Sequence, residues 1–255
     1  MSGEGGFIDG LMVGDLRVSG RLDAEDNRKV LVETFQDSPV CNTVAGAAAA
    51  TTGANLMTMG GKTYLLNQIA TQTLVAPLIA ATGLDVGGDQ TNDDGREIDF
   101  SGLGALGARS PYSYTVGRAF YGKLRFSIAV VLGTDICCFG FRKAAAHNAD
   151  PAAYTDYAVL DVNNGNISVS TNLNSAGESN TDTTEDWAAG ETHTLEVYVS
   201  AAGVATFKID NAAPATTASV TLDTGDVMIP FFEFLLDASA DAGAIVLEYL
   251  ECSYE

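Results

Sequence analysis

Thr192 to Asp210, THTLEVYVSAAGVATFKID, is the stretch that most constrains the fold. It holds two runs of strict alternation joined by Ala201-Ala202-Gly203. Leu195, Val197 and Val199 share one face; Glu196, Tyr198 and Ser200 share the other. The second run puts Phe207 and Ile209 inward, with Thr206, Lys208 and Asp210 outward. Period-two alternation is what a half-buried antiparallel strand requires. A short loop ending in Gly suits a hairpin with one residue at positive φ. The pattern recurs through the C-terminal half. It sets an all-β fold class without setting a chemistry.

A chain of 255 residues, 46% hydrophobic, can bury a substantial core. No apolar run approaches the roughly 18 residues that a spanning helix needs. The opening MSGEGGFIDG carries an acid and no basic cluster, unlike a secretory signal, so synthesis in the cytoplasm is expected. Thirty-three acids against 13 bases give a formal charge of −20. A field of that sign repels phosphate, which argues against nucleic acid and anionic membranes as partners. The cysteines, Cys41, Cys137, Cys138 and Cys252, form no C-x-x-C or zinc spacing. They read as free thiols, with at most one of the vicinal pair Cys137-Cys138 facing the core.

Two regions are expected, 1–62 and 63–255. In the first, GDLRVSGRL (14–22) and KVLVETF (29–35) are short alternating strands, the latter with Val30, Val32 and Thr34 opposite Leu31, Glu33 and Phe35. Residues 38–62 are rich in Ala, Gly and Thr and read as an extended crossing segment. The first region is too small to hold a core alone and reads as an N-terminal arm. From Thr63 strands resume, with Pro77 suited to an edge. Leu124, Phe126, Ile128 and Val130 mark a long strand, with 135–143 expected as its hairpin partner across Gly133. Asn163-Asn164-Gly165 signals a primed turn between 157–162 and 167–170. Residues 172–191 read as a polar loop, and 228–236 and 244–254 as the last strands. About ten short strands without a long amphipathic helix imply a two-sheet antiparallel sandwich or jelly roll.

No catalytic residues, metal ligands or cofactor site emerge, and no cofactor is expected. The sharpest enzymatic candidate is Arg96-Glu97-Ile98-Asp99-Phe100. Laminarinase-type hydrolases place three carboxylates at such spacing on one strand, and Glu97 and Asp99 fit the first two positions. The third falls on Ser101 or Gly102, so a solvated strand edge is the plainer reading. Asp89, Asn92, Asp93 and Asp94 before Gly95 resemble a cation loop, but EF-hand alignment leaves Ser101 where a bidentate Glu belongs. An acidic turn, or an irregular cation site, remains. His147 and His193 lack any nucleophile signature, and His193 reads as a polar edge residue. Trp187 plugs the end of a sandwich or stacks on a sugar. Tyr112, Tyr114 and Tyr121, near Arg109 and Arg118, read as packing first and ligand contact second.

The W-x-x-G-x-x-H-x-L-x-V-x-V run from Trp187, followed by GVATFKIDN (203–211), is similar to the late hairpin of concanavalin A-like, laminin-G-like sandwiches. GLDVGGDQTNDDGREI, FSIAVVLGTDICCFGFRK, DYAVLDVNNGNI and VMIPFFEFLLDASADAGAIVLEYLEC resemble virion structural proteins of tailed bacteriophages. The resemblance spans about Leu65 to Glu255. It implies a non-enzymatic capsid decoration or cement protein, or head fibre, on the outer surface of the virion. Its partners would be the major capsid protein or other virion proteins and copies of itself, as a homotrimer. The arm 1–62 would grip the shell. A carbohydrate-binding, lectin-like module for host-surface glycans is the competing class.

Overall fold

The computed structural model describes residues 30–42, 55–69, 77–87, 94–102, 111–237 and 243–255, and the backbone of a short N-terminal ladder. In chain order the strands begin with β1 (Met12–Val13), β2 (Leu16–Arg17), β3 (Leu31–Glu33), β4 (Val40–Asn42), β5 (Asn55–Met59) and β6 (Lys62–Ile69). They continue with β7 (Leu78–Ile79), β8 (Leu84–Asp85), β9 (Gly95–Asp99), β10 (Tyr114–Thr115), β11 (Phe120–Ile128) and β12 (Thr134–Lys143). Next come β13 (Tyr157–Asn163), β14 (Asn166–Asn172), β15 (Ser179–Asp186) and β16 (Thr192–Val199). The last are β17 (Val204–Ile209), β18 (Val220–Thr221), β19 (Val227–Leu236) and β20 (Ile245–Tyr254).

Two antiparallel sheets stack as a sandwich. One has ten strands, ordered β15-β14-β13-β12-β19-β9-β6-β5-β4, with β10 also paired to β19. The other has eight, ordered β18-β17-β16-β11-β20-β8-β7, with β3 also paired to β20. Alternation decides what goes between them. Phe139 and Phe141 of β12, Phe232 and Phe234 of β19 and Ile98 of β9 enter one core with Leu124, Phe126 and Ile128 of β11, and Leu195 and Val197 of β16.

The 192–210 hairpin forms as its alternation requires, pairing Leu195 with Ile209, Val197 with Phe207 and Val199 with Ala205. Gly203 closes the loop at φ +83, and a Cβ there would lie 2.3 Å from the Leu222 carbonyl oxygen. Asn164 and Gly165 both have positive φ, as a type I′ turn demands. Pro77 lies beside β7, the edge strand of its sheet, as a residue without an N–H should.

Two expectations fail. β11 and β12 are not a hairpin: β11 pairs with β16 and β20, β12 with β13 and β19, and the Gly133 turn carries the chain between sheets. Both strands have a buried face, and those faces meet across the core, which neighbours in one sheet cannot do. Nor is 172–191 all loop, because β15 is the edge strand of the larger sheet. Only Thr183 of β15 is buried, so the apolar half of the alternation is missing.

Strands β3, β4 and β5 precede residue 63 and pair into the two sheets. Leu31, Glu33 and Phe35 are buried on one side while Val30 and Val32 are exposed, the alternation read from the sequence. The Ala-rich stretch 45–50 lies outside the described residues.

Residues 144–156 cross the outer face of the ten-stranded sheet. A 3-10 turn, Pro151–Ala153, is capped by the Asp150 side chain, which accepts from the Ala152 N–H at 2.8 Å. Tyr154 of this segment packs with Cys138, Tyr157, Val159 and Phe231 in a second, smaller cluster. Cys137 and Cys138 point to opposite faces as expected: Cys137 enters the core between the sheets and Cys138 is buried in this second cluster. All four cysteines are free thiols.

Candidate functional site

Register aligns a polar row on the outer face of the ten-stranded sheet. Asp161 of β13 pairs with Cys138 of β12, Cys138 with Glu233 of β19, Glu233 with Glu97 of β9, and Glu97 with Asn67 of β6. Asp99 lies two residues beyond Glu97, and Arg142 four beyond Cys138, so period two keeps them on this face.

Glu97 is the hub. Arg142 donates to it through Nε (3.1 Å) and Nη2 (3.0 Å), a bidentate fork. The Tyr154 hydroxyl donates at 2.6 Å and Asn67 Nδ2 at 2.9 Å, and His147 Nδ1 lies 3.3 Å away. The guanidinium also sits 4.3 Å from the centre of the Tyr154 ring. Burial alone would raise the Glu97 carboxyl; Arg142, His147 and Tyr154 outweigh it and hold the pKa at about 2. Asp99 lies 3.6 Å from the same Arg142 Nη2, too far to compensate, and burial raises it to about 6. Glu233 has no hydrogen bond to either oxygen among the described residues. Burial first, then the Glu97 charge, pushes it well above the carboxylate range.

Glu97 and Asp99 therefore share a face, but not at a solvated edge: β9 is internal to the sheet and both side chains are 0% exposed. A third carboxylate does exist. It comes from the neighbouring strand, as Glu233, instead of Ser101 or Gly102. All three are buried, and Arg142 and Tyr154 staple the 144–156 segment to the sheet through Ala145 and Glu97. Among the described residues no three His, Cys, Asp or Glu side chains are placed to hold a metal. Asp89, Asn92 and Asp93 lie outside the described residues.

Past the staple the face opens into a cavity of about 300 Å³ between the Asp150 turn and β13–β15. Ile136, Val159 and Leu235 give it an apolar floor; Asp161, Asn163, Glu178 and Asn180 line its walls. Asp161 Oδ1 accepts from the Cys137 N–H at 3.0 Å. Burial raises its pKa to about 7, with Glu178 and Asp135 adding to the effect. Ser170 donates to Glu178 at 2.8 Å, fixing that side chain at the rim.

The other singled-out residues pack. Trp187 is 2% exposed, 4.6 Å from the Phe126 ring, and its Nε1–H donates to the Glu191 carbonyl. It plugs the sandwich and offers no platform to a sugar. His193 bridges Asp210 (2.6 Å) and Glu191 (3.1 Å) at the surface. Tyr114 is buried against Phe120 and Tyr254, and Arg118 caps the Tyr254 ring at 4.0 Å. Tyr121 lies elsewhere, on the outer face of the eight-stranded sheet, opposite Tyr198, where it donates to Glu251. Arg109 lies outside the described residues.

Sheet order and two-layer packing define an all-β, two-sheet antiparallel sandwich of the jelly-roll class. No protein-family model and no curated protein sequence matches the chain. Solved structures do. The carbohydrate recognition domain of Emp46p, in its potassium-bound form, is similar at TM-score 0.53 and 9% identity, over 74% of this chain and 87% of that one. A protein of unknown function from Shewanella oneidensis MR-1 matches at 0.51 and 11%, over 88% and 90%. The carbohydrate recognition domain of Emp47p matches at 0.50 and 12%, over 88% and 96%. At these identities the likeness is one of fold.

Proposed function

We propose that the chain is a non-catalytic carbohydrate-binding module whose ligand occupies the cavity beside the Asp150 turn. The cavity itself carries this reading: an apolar floor for the C–H face of a sugar ring, ringed by carboxylate and amide groups for its hydroxyls. Emp46p and Emp47p, whose domains are named for carbohydrate recognition, use the same sandwich. The buried state of Glu97, Asp99 and Glu233 supports a binding role over hydrolysis. A glycan array tests it: saturable binding is expected and should be lost in Asn180→Ala, whose side chain lines the cavity and is exposed. No binding to any glycan by the folded chain would refute it.

Attachment to a capsid surface, trimer formation and the virion role form a separate proposal. It rests on the sequence stretches quoted above and on a region, 1–62, that lies largely outside the described residues. Copurification with particles tests it.

A further inference from the structure

We infer that the outer face of the eight-stranded sheet is a dimer interface, on which a second copy of this chain packs about a twofold axis parallel to β11 and β16. Register lays that face out in rows. In one row Glu251 of β20 pairs with Lys123 of β11, Lys123 with Glu196 of β16, and Glu196 with Lys208 of β17. In the next outward row Ser253 pairs with Tyr121, Tyr121 with Tyr198, and Tyr198 with Thr206. Cys252, Val197 and Phe207, which lie between the rows, enter the core, so period two turns both rows outward. Thr206 and Lys208 are exposed, and Tyr121, Lys123, Glu196, Tyr198 and Glu251 are half-buried.

The first row alternates in sign across four strands: minus, plus, minus, plus. A twofold axis between β11 and β16, along the strands, exchanges the ends of the row. It sets Lys123 over the partner's Glu196 and Lys208 over the partner's Glu251, so all four charges meet their opposites. The same rotation sets Tyr121 over the partner's Tyr198 and Ser253 over the partner's Thr206. An axis across the strands would set each charge over its own copy, so only one orientation fits. Lys123 is already tied to Glu196 (3.5 Å) and Asn211 (3.0 Å), whereas Lys208 has no ion-pair partner among the described residues. Glu251 accepts from the Tyr121 and Tyr249 hydroxyls, which hold its carboxyl below the ordinary range and keep it charged. A cavity of about 370 Å³ beside Tyr198, Thr206 and Lys208 gives the opposing side chains room. The two rows carry no net charge, on a chain whose formal charge is −20, so here two like-charged copies can approach. Sheet twist turns the facing strands by about 30°, which makes the fit tightest nearest the axis. The ten-stranded sheet faces outward on both copies, so the cavity beside the Asp150 turn stays open on each.

Sedimentation velocity of the full chain, from about 1 to about 100 μM at neutral pH, tests this. A species of twice the 26.5 kDa chain mass should grow with concentration. It should retreat with added salt. Lys208→Glu sets two carboxylates together at each end of the row and should weaken the dimer at least about a hundredfold. Glu251→Lys should do the same with two ammonium groups. Mixed in equal amounts, the two variants regain both Lys–Glu contacts and should form a heterodimer. Lys208 is exposed, so its variant should melt as the parent does. It decides the matter even where Glu251→Lys, which loses two tyrosine donors, is unstable. A parent that stays monomeric at about 100 μM, or forms a trimer, would overturn the inference. A dimer that keeps its strength in Lys208→Glu would overturn it too, as would two folded variants that fail to pair on mixing.

Discussion

At the scale of single residues, Glu97 and Glu233 face each other across a ladder with one guanidinium between them and Asp99, and the two carboxyls respond oppositely. Arg142 holds Glu97 at a pKa of about 2, below the unfolded value of about 4.3. Its contribution to stability is full above about pH 4.3 and is lost as pH falls through about 2. Glu233 is raised, so its contribution is full below about pH 4.3 and is lost as pH rises through its folded value. Asp99, at about 6, and Asp161, at about 7, behave the same way. The protein should be most stable near pH 4–5 and weaken steadily toward alkaline pH. Glu233→Gln removes one of the groups responsible. Its melting temperature should match the parent's at about the ordinary carboxylate pKa and exceed it increasingly as pH rises above that. Parallel pH curves for the two proteins would show that folding does not raise the pKa of Glu233. Period two alone placed Glu97 and Asp99 on a common face; their burial and their partner could not be read from one strand. The sequence signal for Glu233 is its place as the lone acid in VMIPFFEFLL. Arg142, closing the apolar run of CCFGFR, carries the same kind of signal.

At the scale of elements, what could be read from sequence was local pairing. The β16–β17 hairpin and the Asn164-Gly165 turn carry their register in a few residues of loop chemistry, so alternation plus turn type was enough. The β11–β12 connection looks similar in sequence yet crosses the core, because which sheet a strand joins depends on partners over a hundred residues away, such as Phe120 with Tyr254. β15 left no apolar trace because an edge strand has little to bury. The same local logic makes Gly203→Ala a sharp test. The substitution forces an L residue to φ +83 and drives its Cβ to 2.3 Å from the Leu222 carbonyl, so β18 must move away from β17. A loss of about 1–3 kcal/mol is expected from the backbone conformation alone. Denaturant unfolding measures it. A cost below about 0.5 kcal/mol, the scale of an ordinary surface change, would mean the loop relaxes freely.

At the scale of the whole molecule, the ten-stranded sheet is covered on both faces, by the core within and by residues 144–156 without. This double cover turns an apparently solvated acidic pair into a buried staple, and the cavity lies where the cover ends. Strand β3 is tied into the same body. β3 lies against β20, pairing Glu33 with Leu250 and Leu31 with Cys252. Glu33 accepts from Lys62 Nζ (3.2 Å) and the Tyr64 hydroxyl (3.0 Å), which links the strand to the opposite sheet. An arm gripping only a neighbour would leave the sandwich intact when removed; β3 is built otherwise. Deleting residues 1–36 takes away buried Leu31, Glu33 and Phe35 together and uncovers part of β20. Leu31→Ala alone should cost about 2–5 kcal/mol and Phe35→Ala about 3–5. At about 2–4 °C per kcal/mol for a domain near this size, either change should be plain in a thermal melt, and the deletion should exceed both. A deletion variant that melts with the parent would show that the first thirty-six residues serve only something outside the sandwich.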